Sequence, residues 1–302
     1  MQRNWAILIA LGLIWGAAFF ATRLALADLT PLWLAAARIG LGAALLIPLA
    51  MLGPGLPPVR GPQAGRIWLH CLGMAVFTNA LPFTLLAWAQ LHVTSAFAGI
   101  SMATVPLVIV PLAHFLVPGE RMTGLKAAGF LTGFVGTVTL IGWSAFTDIA
   151  GGGIVLVAQL TCLGATCCYA LGSIITRLCP PVPLISFSAA ALGLASLISI
   201  PLAFSMEGIP SLPRGSALVG TLFLGLACTG LAALMLVSLI RRAGPSFLGL
   251  VNYQVPVWAT LLGAFALGEE IPPRFAIALA LILAGLAIAQ QGLRRAAPGR
   301  VP

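Results

Sequence analysis

Proline, glycine and charged residues cut this sequence into ten apolar runs, and each run is long enough to cross a membrane. A helix needs about 20 mostly apolar residues to span the hydrocarbon core of a bilayer. Helices are required there because lipid offers no hydrogen-bond partner to an open backbone. We therefore expect an all-α membrane protein. Its ten predicted transmembrane helices lie at 5–26, 31–52, 66–90, 94–117, 123–142, 153–178, 184–204, 215–240, 245–267 and 274–292.

Composition agrees with a membrane protein, because only 7% of the 302 residues are charged and 60% are apolar. A soluble domain carries about 25% charged residues. The net charge of +9 would suit a nucleic-acid partner, but the basic residues stand singly or in pairs near the ends of the apolar runs. That placement orients helices in a membrane. We expect membrane lipid around the chain and no nucleic-acid partner.

The lysine and arginine residues favour one orientation of the chain. With a cytoplasmic N-terminus, 11 of the 15 lie on the cytoplasmic side, and only Arg23, Arg214 and Arg274 lie on the other. Arg38 lies within the second run. Cytoplasmic loops are enriched in these residues. Both termini are therefore predicted in the cytoplasm, with the first run retained as a helix rather than cleaved as a signal.

The first half of the chain, 1–150, aligns with the second half, 151–302. The matched segments include Val105-Pro106 with Val255-Pro256, Gly119-Glu120 with Gly268-Glu269, and Thr22-Arg23-Leu24 with Thr176-Arg177-Leu178. The last match aligns Trp15 with Tyr169. Each half has five runs, so the second half must enter the membrane from the opposite side. Such inverted repeats are typical of carriers that bind substrate at mid-membrane between the halves. We predict two inverted five-helix repeats around a central cavity.

Short motifs recur near corresponding helix ends of both halves. The first half carries Trp15-Gly16-x-x-Phe19, Pro31 with Arg38, Thr94-Ser95-Ala96 before Pro106, and Gly119-Glu120-Arg121; the second carries Gly244-Pro245-Ser246 before Pro256, and Gly268-Glu269-Glu270. In these motifs nearly the whole chain resembles the EamA-type ten-helix carriers of the drug/metabolite transporter superfamily, and among them the bacterial aromatic amino-acid exporters. The resemblance implies export of amino acids or similar metabolites through a bacterial inner membrane, with runs 1–4 and 6–9 around the cavity.

Polar and aromatic residues inside the runs are the candidates for contact with a solute. A polar side chain in mid-membrane is costly and usually faces a cavity or a partner helix. A proline frees a backbone carbonyl, which would open the helix just before Pro106 and Pro256. In the alternative, the hydroxyls bond their own helix and the aromatic rings pack. The predicted substrate-binding residues are Trp15, Thr78, Asn79, Ser101, Tyr169, Asn252 and Tyr253.

Charged residues are nearly absent from the middle of the runs. Arg38 could bind a substrate carboxylate, bond freed carbonyls or extend to the membrane surface, and a structural role is favoured. Glu120 and Glu269 follow runs 4 and 9, where each is expected to stabilise the start of the next helix. No Asp or Glu lies in mid-run. This disfavours a proton relay and favours a facilitator or an exchanger.

The sequence favours transport over the other functions that a membrane protein could have. An intramembrane enzyme would need a pattern such as H-E-x-x-H or paired aspartates, and none is visible. The six cysteines lack the spacing of a metal site. We therefore expect a small-molecule carrier that works by alternating access, with no catalytic residue, no metal and no cofactor. A drug or other metabolite efflux carrier, an intramembrane enzyme and a non-transporting membrane subunit remain alternatives.

Overall fold

A computed structural model describes residues 2–117, 122–142, 153–243 and 251–295, and the regular secondary structure within these ranges is helical. Eight helical stretches among them have the length and apolar character needed to cross a membrane. Two shorter apolar helices follow, Gln254–Leu267 and Pro273–Ala289.

Three of the membrane-spanning stretches are interrupted. In the third and eighth stretches a π-helical segment, in which the hydrogen bonds run from residue i to i−5, separates two α-helices, and the fourth stretch is interrupted between Met102 and Val105. The helices are labelled in chain order. The helices are α1 (Gln2–Ala25), α2 (Pro31–Leu52), α3 (Ala64–Met74), the first π-helical segment (Ala75–Ala80), α4 (Leu81–Ala89), α5 (Ser95–Met102), α6 (Val105–Leu116), α7 (Gly124–Ile141), α8 (Ile154–Leu178), α9 (Leu184–Glu207), α10 (Gly215–Leu222), the second π-helical segment (Phe223–Leu231), α11 (Ala232–Ala243), α12 (Val251–Leu267) and α13 (Pro273–Arg295).

Turn residues set the ends of several helices. The side chains of Thr30, Thr94 and Thr123 accept the first free backbone N–H groups of α2, α5 and α7. Gly142 and Gly208 end α7 and α9 with φ angles of 77° and 72°, a conformation that costs glycine little. Short polar and glycine joints therefore alternate with long apolar helices, as the punctuation of the sequence predicts.

Glycine allows two pairs of helices to approach closely. A Cβ atom on Gly129 would collide with Gly285 and Ala289, and one on Gly136 would collide with Ile282, so α7 and α13 run antiparallel. Gly12 and Gly16 of α1 lie against Gln254 and Trp258 of α12. The hydrophobic effect is weak between helices in lipid, so helix association there depends on van der Waals contact. Small residues at such spacing allow this contact.

Several other helix pairs join the two halves of the chain. α2 packs along α9, α1 packs along α12 and α10, and α8 packs along α4 and α6. The start of α2 meets the end of α9, where Trp33 Nε1 donates to Gly208 O at 3.2 Å and Thr30 bonds Glu207. α2 and α9 are therefore antiparallel as well.

The carboxylate of Glu269 closes the same end of the bundle. It accepts hydrogen bonds from Ser95 N at 2.8 Å, Ser95 Oγ at 2.7 Å and Ala96 N at 3.1 Å. These groups form the N-terminus of α5, where the helix dipole favours a negative charge. The sequence predicted such a contact with the helix that follows Glu269 along the chain. The helix that Glu269 caps is instead α5, because the fold brings α5 against the end of α12.

Candidate functional site

The two π-helical segments occupy corresponding positions in the two halves, 150 residues apart in the earlier alignment. Each contains a polar side chain that donates to the carbonyl five residues before it: Asn79 Nδ2 to Met74 O at 3.1 Å, and Thr229 Oγ1 to Leu224 O at 2.9 Å. Asn79 and Thr229 correspond to each other, as do Met74 and Leu224. Segments of π-helix inside α-helices occur frequently at functional sites.

Helix α2 lies unusually close to the second π-helical segment. Cβ atoms on Gly225 and Gly230 would collide with Leu41 and Leu45 of α2, and one on Gly42 would collide with the Thr229 side chain. Because these three residues are glycines, the two backbones can approach until side chains meet across the interface. This approach sets the position of Arg38, one turn before Gly42.

Arg38 is held between the two halves of the chain. Its Nε donates to Thr229 Oγ1 at 3.1 Å, and its guanidinium lies over the Phe83 ring at 3.8 Å from the centroid. Thr229 belongs to the second half, and Phe83 belongs to α4 of the first. The side chain remains partly accessible. Among the residues whose side chains the structure describes, none forms a hydrogen bond to its two terminal nitrogens or an ion pair with it.

Trp15 and Tyr169, which the sequence predicts as facing walls, both reach this region. Trp15 Nε1 donates to Cys228 O at 3.2 Å, next to Thr229, and Cys228 Sγ contacts Ile14 O at 3.2 Å. Tyr169 lies within electrostatic range of Arg38. Both aromatic side chains are partly accessible and pack against the same buried apolar cluster. The site therefore has side chains from α1, α2, α4, α8 and the second π-helical segment.

The hydroxyls of Thr78 and Ser101 are directed at neighbouring helix atoms. Thr78 Oγ1 is buried against Gly172 of α8 and has no hydrogen-bond partner in the described residues. Ser101 is fully buried, and its Oγ donates to Phe97 O at 2.9 Å. Asn79 is also buried. Their substrate contacts stay predictions.

Helix 4 of the predicted ten is broken before Pro106, as the sequence led us to expect. α5 ends at Met102 and α6 begins at Val105. The hydroxyl of Thr104 donates to Ser101 O at 2.7 Å, so part of the freed backbone is bonded locally. The corresponding residues Asn252 and Tyr253 lie in the first turn of α12, but their side chains lie outside the described part of the chain.

Sequence reasoning missed part of this cluster. Phe83 was not a candidate, because an aromatic residue in a membrane helix can equally face lipid. Thr229 was not a candidate either. Its register with Asn79 inside an apolar run was the available signal, together with Arg38 as the one charge deep in a run.

The cluster offers the contacts of a small-molecule binding site. It combines one cation, a hydroxyl and three aromatic side chains. In the described residues no three His, Cys, Asp or Glu side chains come together as metal ligands would. Outside the site, a groove between the third membrane-spanning stretch and α8 is lined mainly by apolar residues, among them Leu72, Val76, Phe77 and Ile175, and also by His70.

Comparison with known proteins agrees with this architecture. The model of the EamA-like transporter family matches residues 4–142 and 156–290. The chain is 31% identical to the aromatic amino acid exporter YddG of Ancylobacter novellus, over 98% of this chain and 100% of the relative. It is 26% identical to the inner membrane transporter YedA of Escherichia coli, over 94% and 90% of the two chains. A crystal structure with 26% sequence identity superposes with a TM-score of 0.68, over 97% of this chain and 99% of the other.

The family model matches each half of the chain separately, and together the matches cover far more than half of its residues. The apolar helices and the relatives also agree that the chain is an integral membrane protein. The chain belongs to the EamA-like transporter family and is a membrane transporter.

Proposed function

We propose that this protein is a secondary carrier that exports amino acids, aromatic ones among them, across a bacterial inner membrane by alternating access. The observation that carries the proposal is the position of Arg38 between Thr229 of one half and Phe83 of the other. A site held jointly by two halves changes its exposure when the halves move against each other. Trp15 and Tyr169 add aromatic walls from each half.

The architecture in this proposal is ten membrane helices in two inverted repeats. The helices that correspond and touch run antiparallel: α2 with α9, α5 with α12, and α7 with α13. The contacts are also preserved when each helix is exchanged for its counterpart. Thus α1 packs on α10, α11 and α12, and its counterpart α8 packs on α3, α4 and α6, which correspond to them. Both features are expected of an inverted two-fold relationship.

The cytoplasmic excess of lysine and arginine supports placing both termini in the cytoplasm. In that orientation, the end of the bundle with Glu269 and Ser95 faces away from the cytoplasm. There α12 packs closely on α5, and Glu269 bonds the first turn of α5, so this end of the bundle is closed.

The substrate class rests on two observations of different kinds. A relative that matches along almost the whole chain is named as an aromatic amino acid exporter. In this chain, the Phe83 ring lies over the guanidinium of Arg38 and Trp15 bonds the residue next to Thr229, and aromatic faces pack well against an aromatic solute. We therefore propose phenylalanine, tyrosine and tryptophan as the first solutes to examine. Efflux of drugs or other metabolites is the alternative outcome of the test.

Counterflow in proteoliposomes tests the proposed function. Vesicles with the purified protein are loaded with unlabelled phenylalanine and then given labelled phenylalanine outside. We expect saturable uptake that protein-free vesicles lack, and competition by tryptophan and tyrosine but not by lysine or aspartate. The same assay with an imposed pH gradient should give the same exchange rate, because no carboxylate lies in mid-run. Absence of uptake for every amino acid would contradict the proposal.

A further inference from the structure

Arg38 is the one charged side chain deep in the apolar runs, and its position demands a partner. A charge at mid-membrane depth is costly unless it is paired or faces a water-filled cavity. The guanidinium has five N–H donors and does not lose its proton in proteins. One donor, on Nε, is used by Thr229. The four donors on the terminal nitrogens have no hydrogen-bond partner in the described part of the chain.

The contacts of Arg38 fix the orientation of those free donors. Thr229 Oγ1 donates its own hydrogen to Leu224 O at 2.9 Å, so its lone pairs are left to accept from Arg38 Nε. The Phe83 ring, 3.8 Å from the guanidinium carbon, sets the plane of the group. An arginine fixed at Nε and across its face presents its terminal nitrogens as a planar fork. That geometry matches the two oxygens of a carboxylate.

The surroundings restrict what else the occupant can carry. Trp15 bonds Cys228 O, next to the Thr229 that holds Arg38, and Tyr169 packs against the same buried cluster as Trp15. Asp and Glu residues lie only near the ends of the apolar runs or in the joints between them. An ammonium group bound here therefore meets no carboxylate in mid-membrane, whereas a carboxylate meets Arg38.

We propose that Arg38 binds the carboxylate of the transported solute, and that the solute class is the aromatic monocarboxylates, in which the amino group is not required. This rests on the proposed carrier function and narrows it. Thr229 and Phe83 act as positioning residues for the guanidinium. The site then discriminates between an amino acid and the amine that remains after its carboxylate is removed.

Three related probes separate the two ends of the solute: phenylalanine, 3-phenylpropanoate, which lacks the amino group, and phenethylamine, which lacks the carboxylate. Binding to the purified protein is measured by titration calorimetry, and each probe also competes in the counterflow assay. We expect phenylalanine and 3-phenylpropanoate to bind within tenfold of each other. Phenethylamine should bind at least tenfold more weakly. Equal binding of phenethylamine and phenylalanine would overturn the proposal.

Variants of Arg38 provide the second arm. Arg38→Gln should weaken the binding of phenylalanine and 3-phenylpropanoate at least tenfold and leave the binding of phenethylamine unchanged. Arg38→Lys should retain part of the affinity, because lysine keeps a positive charge without the planar fork. The matched control is Arg23→Gln, because Arg23 bonds Gln90 O at the closed end of the bundle, away from the site. Affinity of Arg38→Gln equal to that of the wild type would contradict the proposal.

The outcomes distinguish this proposal from the function on which it rests. Carboxylate binding that depends on Arg38, without exchange of any amino acid, would refute the exporter function and keep the anion site. Exchange of phenylalanine that Arg38→Gln leaves intact would keep the exporter and remove the anion site. Should Arg38→Gln fail to elute as a folded protein, Arg38→Lys and the three probes on the wild type decide the question.

Discussion

The two π-helical segments have corresponding positions in their halves and the same local hydrogen bond. Among the described residues, only the second segment also bonds a charged side chain. In both, a polar side chain donates to the carbonyl five residues earlier, from Asn79 in the first and from Thr229 in the second. Thr229 also accepts from Arg38 of α2. The first segment instead packs against α9, which contains no Lys, Arg or His.

This difference distinguishes the hydrogen bond that both segments have from the contact with Arg38 that only the second segment has. The bond from Asn79 or Thr229 stabilises a π-helical turn, which is a feature of the helix itself. The bond from Thr229 to Arg38 crosses between helices that are 191 residues apart in sequence and therefore depends on the closed fold. The two segments therefore differ in their partner helix, and the charge bound at the second segment comes from α2.

The largest effect is expected from Thr229→Val, which removes the hydroxyl and keeps the shape of the side chain. A hydrogen bond to a charged group contributes about 1.5–3 kcal/mol, so transport efficiency should fall about tenfold or more. The change frees Arg38 Nε and weakens the orientation of the guanidinium. Counterflow with labelled phenylalanine over a range of concentrations measures it, and the loss should lie mainly in the apparent affinity.

Thr221→Val is the matched control for this variant. Thr221 is a buried threonine of α10 whose hydroxyl donates only to Ala217 O of its own helix, at 2.8 Å. Its removal should leave transport within about twofold, since neutral bonds of this kind contribute about 0.5–1.5 kcal/mol to folding and nothing to the site. Equal losses in the two variants would mean that Thr229 acts only through the stability of its helix.

A smaller effect is expected from Trp15→Phe, which keeps an aromatic side chain and removes its N–H group. Trp15 donates to Cys228 O of the second π-helical segment at 3.2 Å. Loss of a neutral bond of about 1 kcal/mol should lower transport efficiency about fivefold. Trp33→Phe removes a bond of the same kind and length, to Gly208 O, at the exposed end of the bundle. We expect less than a twofold change there, and equal losses would separate Trp15 from the site.

The sequence predicts the helices of this protein well, because the length of an apolar run is a local property. The turns at Gly142 and Gly208 and the break before Pro106 are local in the same sense. The internal alignment also predicts that Trp15 and Tyr169 line one cavity. Both residues lie against one buried cluster, and their contact with a solute stays a prediction.

The features that the sequence did not predict depend on contacts between segments that are distant along the chain. Phe83 lies under Arg38 only because α4 and α2 pack together, and nothing in its own run distinguishes it from an aromatic residue in lipid. The charge of Glu269 predicted a helix N-terminus as its partner, but not that this would be α5. The π-helical turns leave no periodic signal in the pattern of apolar residues.

The smallest effect is expected from Asn79→Leu, the counterpart of Thr229→Val in the first half. The variant removes the bond from Nδ2 to Met74 O, and we expect a loss of about 1 kcal/mol in the free energy of unfolding. Thermal unfolding in detergent measures the loss. Thr84→Val, which removes the bond from Thr84 Oγ1 of α4 to Ala80 O, should cost less, because this bond spans four residues as in an ordinary α-helical turn. Transport by the folded Asn79→Leu protein should stay within twofold of the wild type, because no cation depends on Asn79 as Arg38 depends on Thr229. A tenfold loss of transport without loss of stability would instead place the Asn79 amide in the path of the solute, and the two π-helical segments would then be equal parts of one site.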